Sequence, residues 1–375
     1  MRVLLSASFF GMAIAHIVSL GLARYFPVIG IMALILILGK SIYLPPDRWW
    51  YHLGCLLFLI PAGVVSFQYG NSLSYAYVGI GVLNFLLYPA FERVKLTDLH
   101  LLIIFIGLSV TLIPLGVGRR VASIYDNPNN YSAVVFATMY FGMLLFRKKI
   151  LGQLIVLALF TFLIYLGASR SMLGAILLFG LLYFLQAWVI RRTIRYGMVI
   201  AFAVSSFGYY SLITSDEYKI LSVIKANTPS DKKERGLSHR DELFESSAEL
   251  VRRKPYGHGL GMSKDALKKL TNESVSPHNT YLKVAVEGGV IALAGFLILI
   301  CGFWLSSSSP LASSFIFALM IRGFFESSTP LSVSLISGML IIPMFLNEHT
   351  VIRGYRLILF PARDSPSDSL SSADN

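Results

Sequence analysis

Twelve stretches of this chain are apolar over close to the roughly 20 residues that a helix needs to cross a bilayer. They lie near residues 3–22, 25–39, 49–69, 73–91, 98–118, 131–146, 150–168, 171–190, 194–213, 279–305, 310–325 and 330–346, and the second, sixth and eleventh are somewhat short. Of the 375 residues 55% are hydrophobic and only 14% charged, against about 25% charged in an ordinary soluble domain. That leaves too little polar surface for a soluble fold. The pattern predicts an all-α polytopic membrane protein of about 12 transmembrane helices. The run from Val3 to Leu22 reads as a retained span, because no small-residue cleavage site with a soluble domain follows it.

A net charge of +12 would suit nucleic acid if the basic residues formed one face. They lie instead in short clusters between apolar runs, which excludes nucleic acid as a partner and is what membrane topology requires. With the N-terminus inside, the inner loops hold Lys40, Arg48, Arg93, Lys95, Arg147, Lys148, Lys149, Arg191, Arg192 and Arg195. The tail adds Arg353, Arg356 and Arg363, while the short outer loops hold only Arg24, Arg119, Arg120 and Arg170. The bias places both termini in the cytoplasm.

Residues 1–214 are then transmembrane helices 1–9, residues 215–277 one large outer loop, residues 278–346 helices 10–12, and residues 347–375 a cytoplasmic tail with a polar, serine-rich end. Within the loop, Ser238 and Asp241 resemble a capping box. Leu243, Phe244, Leu250 and Val251 follow at helical spacing, and Pro255 and Gly257 end that helix. A second short helix is predicted after Ser263, so the loop is a partly amphipathic unit on the membrane surface.

Outer arginines run against the positive-inside bias. Arg119 and Arg120 precede the turn Asp126-Asn127-Pro128-Asn129-Asn130; they suit an interfacial anchor or a cationic site for an anionic headgroup. Arg170, in Ala168-Ser169-Arg170-Ser171 between two apolar runs, either snorkels to the interface or faces a polar cavity. Arg322 and Glu326, four apart, suit an intrahelical pair, as do Lys283 and Glu287. His278 stands where the loop re-enters the membrane, in Ser276-Pro277-His278-Asn279-Thr280-Tyr281. It is a structural residue at a helix start, or a base kept neutral by the helix dipole. Gly257-His258-Gly259-Leu260-Gly261 lacks the Gly-Lys-Ser/Thr ending of a P-loop. Cys55 and Cys301 read as packing residues, and no cluster has metal-ligand spacing.

Four of these segments, in this order, resemble the O-antigen ligase and polymerase family of bacterial envelope glycan biosynthesis. They are Arg119/Arg120 with Asn127-Pro128-Asn129; Ala168-Ser169-Arg170-Ser171; Arg240 leading a helix into Pro255-Tyr256-Gly257-His258-Gly259-Leu260-Gly261; and Pro277-His278-Asn279-Thr280-Tyr281-Leu282 with Glu287-Gly288-Gly289 behind it. The resemblance spans roughly residues 110–300.

It implies a twelve-helix inner-membrane enzyme with a periplasmic loop, no cofactor and no metal. Such an enzyme would transfer an undecaprenyl-diphosphate-linked glycan onto lipid A–core with inversion, in a site open to membrane lipid. The same resemblance implies His278 as the catalytic group and Arg119, Arg120, Arg170 and Arg240 on the donor diphosphate, with Asn129, Asn279, Arg322 and Glu326 as supporting residues. The single large loop favours a ligase. A polymerase would use a second lipid-linked repeat unit as acceptor. A lipid or glycan transporter would show inverted repeats and broken mid-membrane helices, which the chain does not display clearly.

Overall fold

The computed structural model describes residues 48–72, 74–79, 81–82, 96–113, 128–167, 169–188, 197, 237–272, 275–307, 309–326 and 351–352. The spans predicted at 3–22, 25–39 and 330–346, nearly all of 194–213, and the serine-rich tail lie outside the described residues.

Among the described residues the regular secondary structure is helical apart from one short bridge. In chain order they form α1 (Trp49–Tyr69), β1 (Leu96–Thr97), α2 (Asp98–Thr111), α3 (Pro128–Leu145), α4 (Ile150–Leu166) and α5 (Arg170–Trp188). Then come α6 (Leu237–Arg253), α7 (Ser263–Thr271), α8 (Thr280–Ser306), α9 (Pro310–Arg322) and β2 (Val351–Ile352). Residues 74–79 are also helical. By length and composition α1 and α8 can cross a membrane, and α2 to α5 and α9 are shorter apolar helices.

Their surfaces argue for lipid as the solvent. Leu151, Ile155, Phe162, Ile103 and Val110 are each more than half exposed, on α4 and α2. Apolar patches of that extent are rare on soluble monomers. By contrast α3 is buried on every side from Tyr131 to Leu144. Two buried amides inside the bundle find partners on other helices, as a dry interior demands. The Gln153 amide donates to the Tyr183 hydroxyl at 2.8 Å and the Gln186 amide to the Ser314 hydroxyl at 3.0 Å. Helices α1 and α8 cross in backbone contact: a Cβ on Gly295 would lie 2.5 Å from the Phe58 nitrogen. Small residues permit such crossings in membranes.

The loops sort into two ends. At one end β1 pairs in parallel with β2, Leu96 with Val351. There Asp98 at the start of α2 accepts from Arg147 after α3 at 2.7 Å, and Trp50 packs on Phe303. The Gly257 loop and the starts of α5 and α8 lie at the other end.

Two predicted elements take a different form. The run 279–305 was expected to be a single straight span, but α8 breaks at Gly289, with φ 85° and ψ 177°. The rings of Tyr281 and Phe296 are 6.1 Å apart, whereas fifteen residues of straight helix rise about 22 Å. Residues 280–288 therefore fold back on the helix that follows. In the loop, α6 begins at Leu237, so Ser238 lies inside the first turn and is not its cap. The predicted inward positions hold: Leu243 and Leu250 are buried, Phe244 and Val251 half-buried. The second loop helix is present as α7.

Candidate functional site

Two structures built from the singled-out residues meet on α8. The first is the seat of the glycine-rich loop. The break at Gly289 frees backbone groups that a straight helix would use itself. The loop takes them up: Val290 N donates to the Pro255 carbonyl at 2.9 Å, His258 N to that of Val286 at 2.8 Å, and Gly259 N to that of Glu287 at 2.8 Å. Only glycine allows the approach. Gly257 and Gly289 both have positive φ, and a Cβ on Gly289 would lie 2.5 Å from the Tyr256 carbonyl carbon. On its other side the loop is clasped by two serines. Leu260 N donates to the Ser66 hydroxyl at 2.9 Å, and the Ser74 hydroxyl donates to the Leu260 carbonyl at 2.6 Å.

Glu287 belongs to this seat. Its carboxylate is 1% exposed, accepts from the Ser263 hydroxyl at 2.6 Å and lies 3.9 Å from Lys283 Nζ. The pairing of Lys283 with Glu287 expected from their spacing is present, and Ser263 adds the start of α7 to it. The apolar faces of α6 and α7, through Leu250, Ala266 and Leu267, close on Val286.

The second structure joins the start of α8, the end of α9 and the start of α5. Asn279 caps α8 by accepting from Leu282 N at 2.9 Å, and its amide donates to the Phe324 carbonyl at 3.2 Å. Thr280 donates twice, from N to the Gly323 carbonyl and from Oγ1 to that of Glu326, both at 2.7 Å. The Tyr281 hydroxyl donates to the Met320 carbonyl at 2.6 Å. From α5, the Ser171 hydroxyl donates to Glu326 Oε1 at 3.3 Å.

Arg322 and Glu326 are both buried here. A buried charge near hydrocarbon is costly and marks a polar interior. Arg322 Nε and Ser169 Oγ are buried without a hydrogen-bond partner among the described residues. The helix starts of α5 and α8, which carry partial positive charge, lie at this same end.

The predicted residues distribute as follows. Arg170 is the first residue of α5 and is exposed. His278 directly precedes the α8 cap, half-buried, with φ 52° in the left-handed region. Asn279, Arg322 and Glu326 meet in the cluster just described. Asn129 and Arg240 occupy the first turns of α3 and α6, and Arg119 and Arg120 lie outside the described residues. The first turn of α3 reaches the end of α4, where a Cβ on Gly167 would lie 2.7 Å from Ser132 Oγ.

Residue spacing did not single out the hydroxyls of Ser171, Thr280 and Tyr281, which make the cross-links. Their signal was present, since each adjoins or sits inside a motif already chosen. Ser66, Ser74 and Ser263 carried no such signal.

No curated protein and no solved structure matches this chain. From residue 154 to residue 297, a stretch running from α4 past the break in α8 and holding Arg170, Arg240, the glycine loop and His278, the chain is similar to the family whose model is described as O-antigen ligase.

Proposed function

We propose that this chain is a membrane-embedded glycosyltransferase that moves an undecaprenyl-diphosphate-linked O-antigen glycan onto a lipid A–core acceptor at the periplasmic face of the inner membrane. The observation that carries this is the meeting of the Arg170 segment and the His278 segment on one turn, Arg322 to Glu326, at the starts of α5 and α8. Cationic and helix-start charge there suits a leaving diphosphate. Arg119, Arg120, Arg170 and Arg240 bind that diphosphate, Arg through its planar fork. His278 takes the proton of the acceptor hydroxyl as oxygen attacks the anomeric carbon, and the carbon–phosphate oxygen bond breaks with inversion. The arginines neutralise the departing charge, so no metal is required. The match to the O-antigen ligase model supports glycan transfer, and the single large loop between the ninth and tenth predicted spans is what favours a ligase over a polymerase.

The test is transfer by purified protein in EDTA, comparing the natural chain with His278→Ala at equal expression. Loss of a general base typically costs about 10²–10⁴-fold, and the natural chain should keep its rate in EDTA. Abolition by EDTA would overturn the metal-free mechanism, and near-full activity of His278→Ala would make that residue structural. Full activity in both Arg170→Ala and Arg240→Ala would remove the diphosphate assignment.

A further inference from the structure

Beside the Gly257 seat lies a group of side chains that the transfer chemistry does not use. Tyr69, the last residue of α1, and Tyr256, in the loop, are both about half exposed. Their rings are 6.3 Å apart and inclined by 32°. The Lys254 ammonium sits 3.1 Å over the Tyr69 ring and 5.4 Å from that of Tyr256. One face of Tyr69 is thus covered by a cation, and the Tyr256 ring remains accessible.

Positive charge accumulates around this pair. Lys269, at the end of α7, lies within electrostatic reach of both Lys254 and His258. Glu249 is engaged by Arg252 and Arg253. Among the described residues no ion pair includes Lys254, Lys268 or Lys269. The His258 ring is hydrogen-bonded to the Leu250 backbone, while its Nε2 is buried with no partner among the described residues. Like charges held together at the surface favour an anion between them.

We infer that Tyr69, Tyr256, Lys254 and Lys269 form a subsite for an acidic sugar unit, a pyranose carrying a carboxylate or phosphate, on the glycan handled by this protein. The axial C–H face of a pyranose stacks on an aromatic ring, which Tyr256 presents. The sugar's anionic substituent then meets the two ammonium groups. A lipid headgroup would satisfy the cations but would leave the Tyr256 face unused. The loop carrying Tyr256 is bonded to α8 less than three turns from its Asn279 cap, so a chain held here extends towards the candidate site.

The choice of a glycan as ligand rests on the transfer function proposed above. Binding is therefore measured without transfer, so failure of either idea is seen separately. The full chain is placed in nanodiscs of neutral phosphatidylcholine, and trigalacturonic acid and maltotriose are titrated by saturation-transfer NMR. The acidic trisaccharide should bind at least about tenfold more tightly than the neutral one, the size of one charge-assisted contact. Lys269→Gln should erase that preference. Tyr256→Ala should weaken binding and Tyr256→Phe should restore it. Equal affinity for the two sugars would overturn the inference, as would unchanged binding in Lys269→Gln and Tyr256→Ala. So would binding of neither sugar with lipid selectivity alone, seen as Lys269-dependent enrichment of phosphatidylglycerol in mixed discs.

Discussion

The carboxylate of Glu326 accepts the Ser171 hydroxyl at 3.3 Å, and the same residue's carbonyl accepts from Thr280 at 2.7 Å. One residue after α9 thereby fixes the start of α5 relative to the start of α8. Arg170 and His278 stand one and two residues from those contacts. Removing the carboxylate leaves the Thr280 bond intact, releases α5 and takes away the negative charge that faces the buried Arg322. Glu326→Ala is expected to lower transfer by about tenfold, equivalent to one hydrogen bond to a charged group. Glu326→Gln, which keeps an acceptor oxygen, should retain most of the rate. Steady-state kinetics of both variants decide it; equal loss in both would show that charge, and not the tie to Ser171, matters.

Gly289 and Gly174 give a matched contrast. Gly289 has φ 85° and no room for a Cβ, while Gly174, inside α5, has nothing within 4 Å. Gly289→Ala should destabilise the protein by about 1–3 kcal/mol, the usual cost of a strained backbone conformation. Gly174→Ala should be neutral or gain about 0.5–1 kcal/mol from helix propensity. Thermal unfolding in detergent followed by tryptophan fluorescence compares them.

Burial, then the charge of Lys254 with a smaller contribution from Lys269, holds the His258 imidazole below its ordinary value of 6.5 despite its bond to Leu250. A base with a depressed folded value is protonated first in the undocked state. Docking of the loop is therefore fully stable above about 6.5 and weakens as pH falls towards the folded value. The protection factors of the His258 and Gly259 amides, which bond to α8, corrected for the intrinsic pH dependence of exchange, should fall as pH is lowered from about 7.5 to 5.5. In His258→Gln the pH dependence should vanish.

Topology is open to direct mapping. Reporter fusions after Lys149 and after Arg195 should report cytoplasm, and one near Lys232 periplasm, as the distribution of arginine and lysine requires. A cytoplasmic signal at Lys232 would put the proposed chemistry on the wrong side of the membrane.

Helix existence was legible in the chain because it depends on local composition. Runs of Leu, Ile and Phe marked α1, α4 and α5, and the spacing of Leu243 and Leu250 marked the buried face of α6. The reversal at Gly289 was not legible. Apolar content continues through Val284 to Ile300, and a hydropathy pattern carries no sign of direction. What reverses the chain is a partner distant in sequence, the backbone of residues 255–259. The Lys283–Glu287 contact was predictable because it lies within one helix, and the Ser263–Glu287 contact was not because it joins two. For the same reason the neighbourhood of Lys254 with Tyr69 emerges only from the fold.

The contact of Gly257 with Gly289 also constrains motion. Backbone meets backbone there with no side chain between, and three hydrogen bonds cross the contact. Sliding or tilting the loop by one residue would break all three and bring a Cβ into collision. The loop from Pro255 to Gly261 and the upper part of α8 thus travel as one rigid body. A substrate arriving at this edge encounters a fixed wall, and any gate that admits it must hinge elsewhere in the molecule.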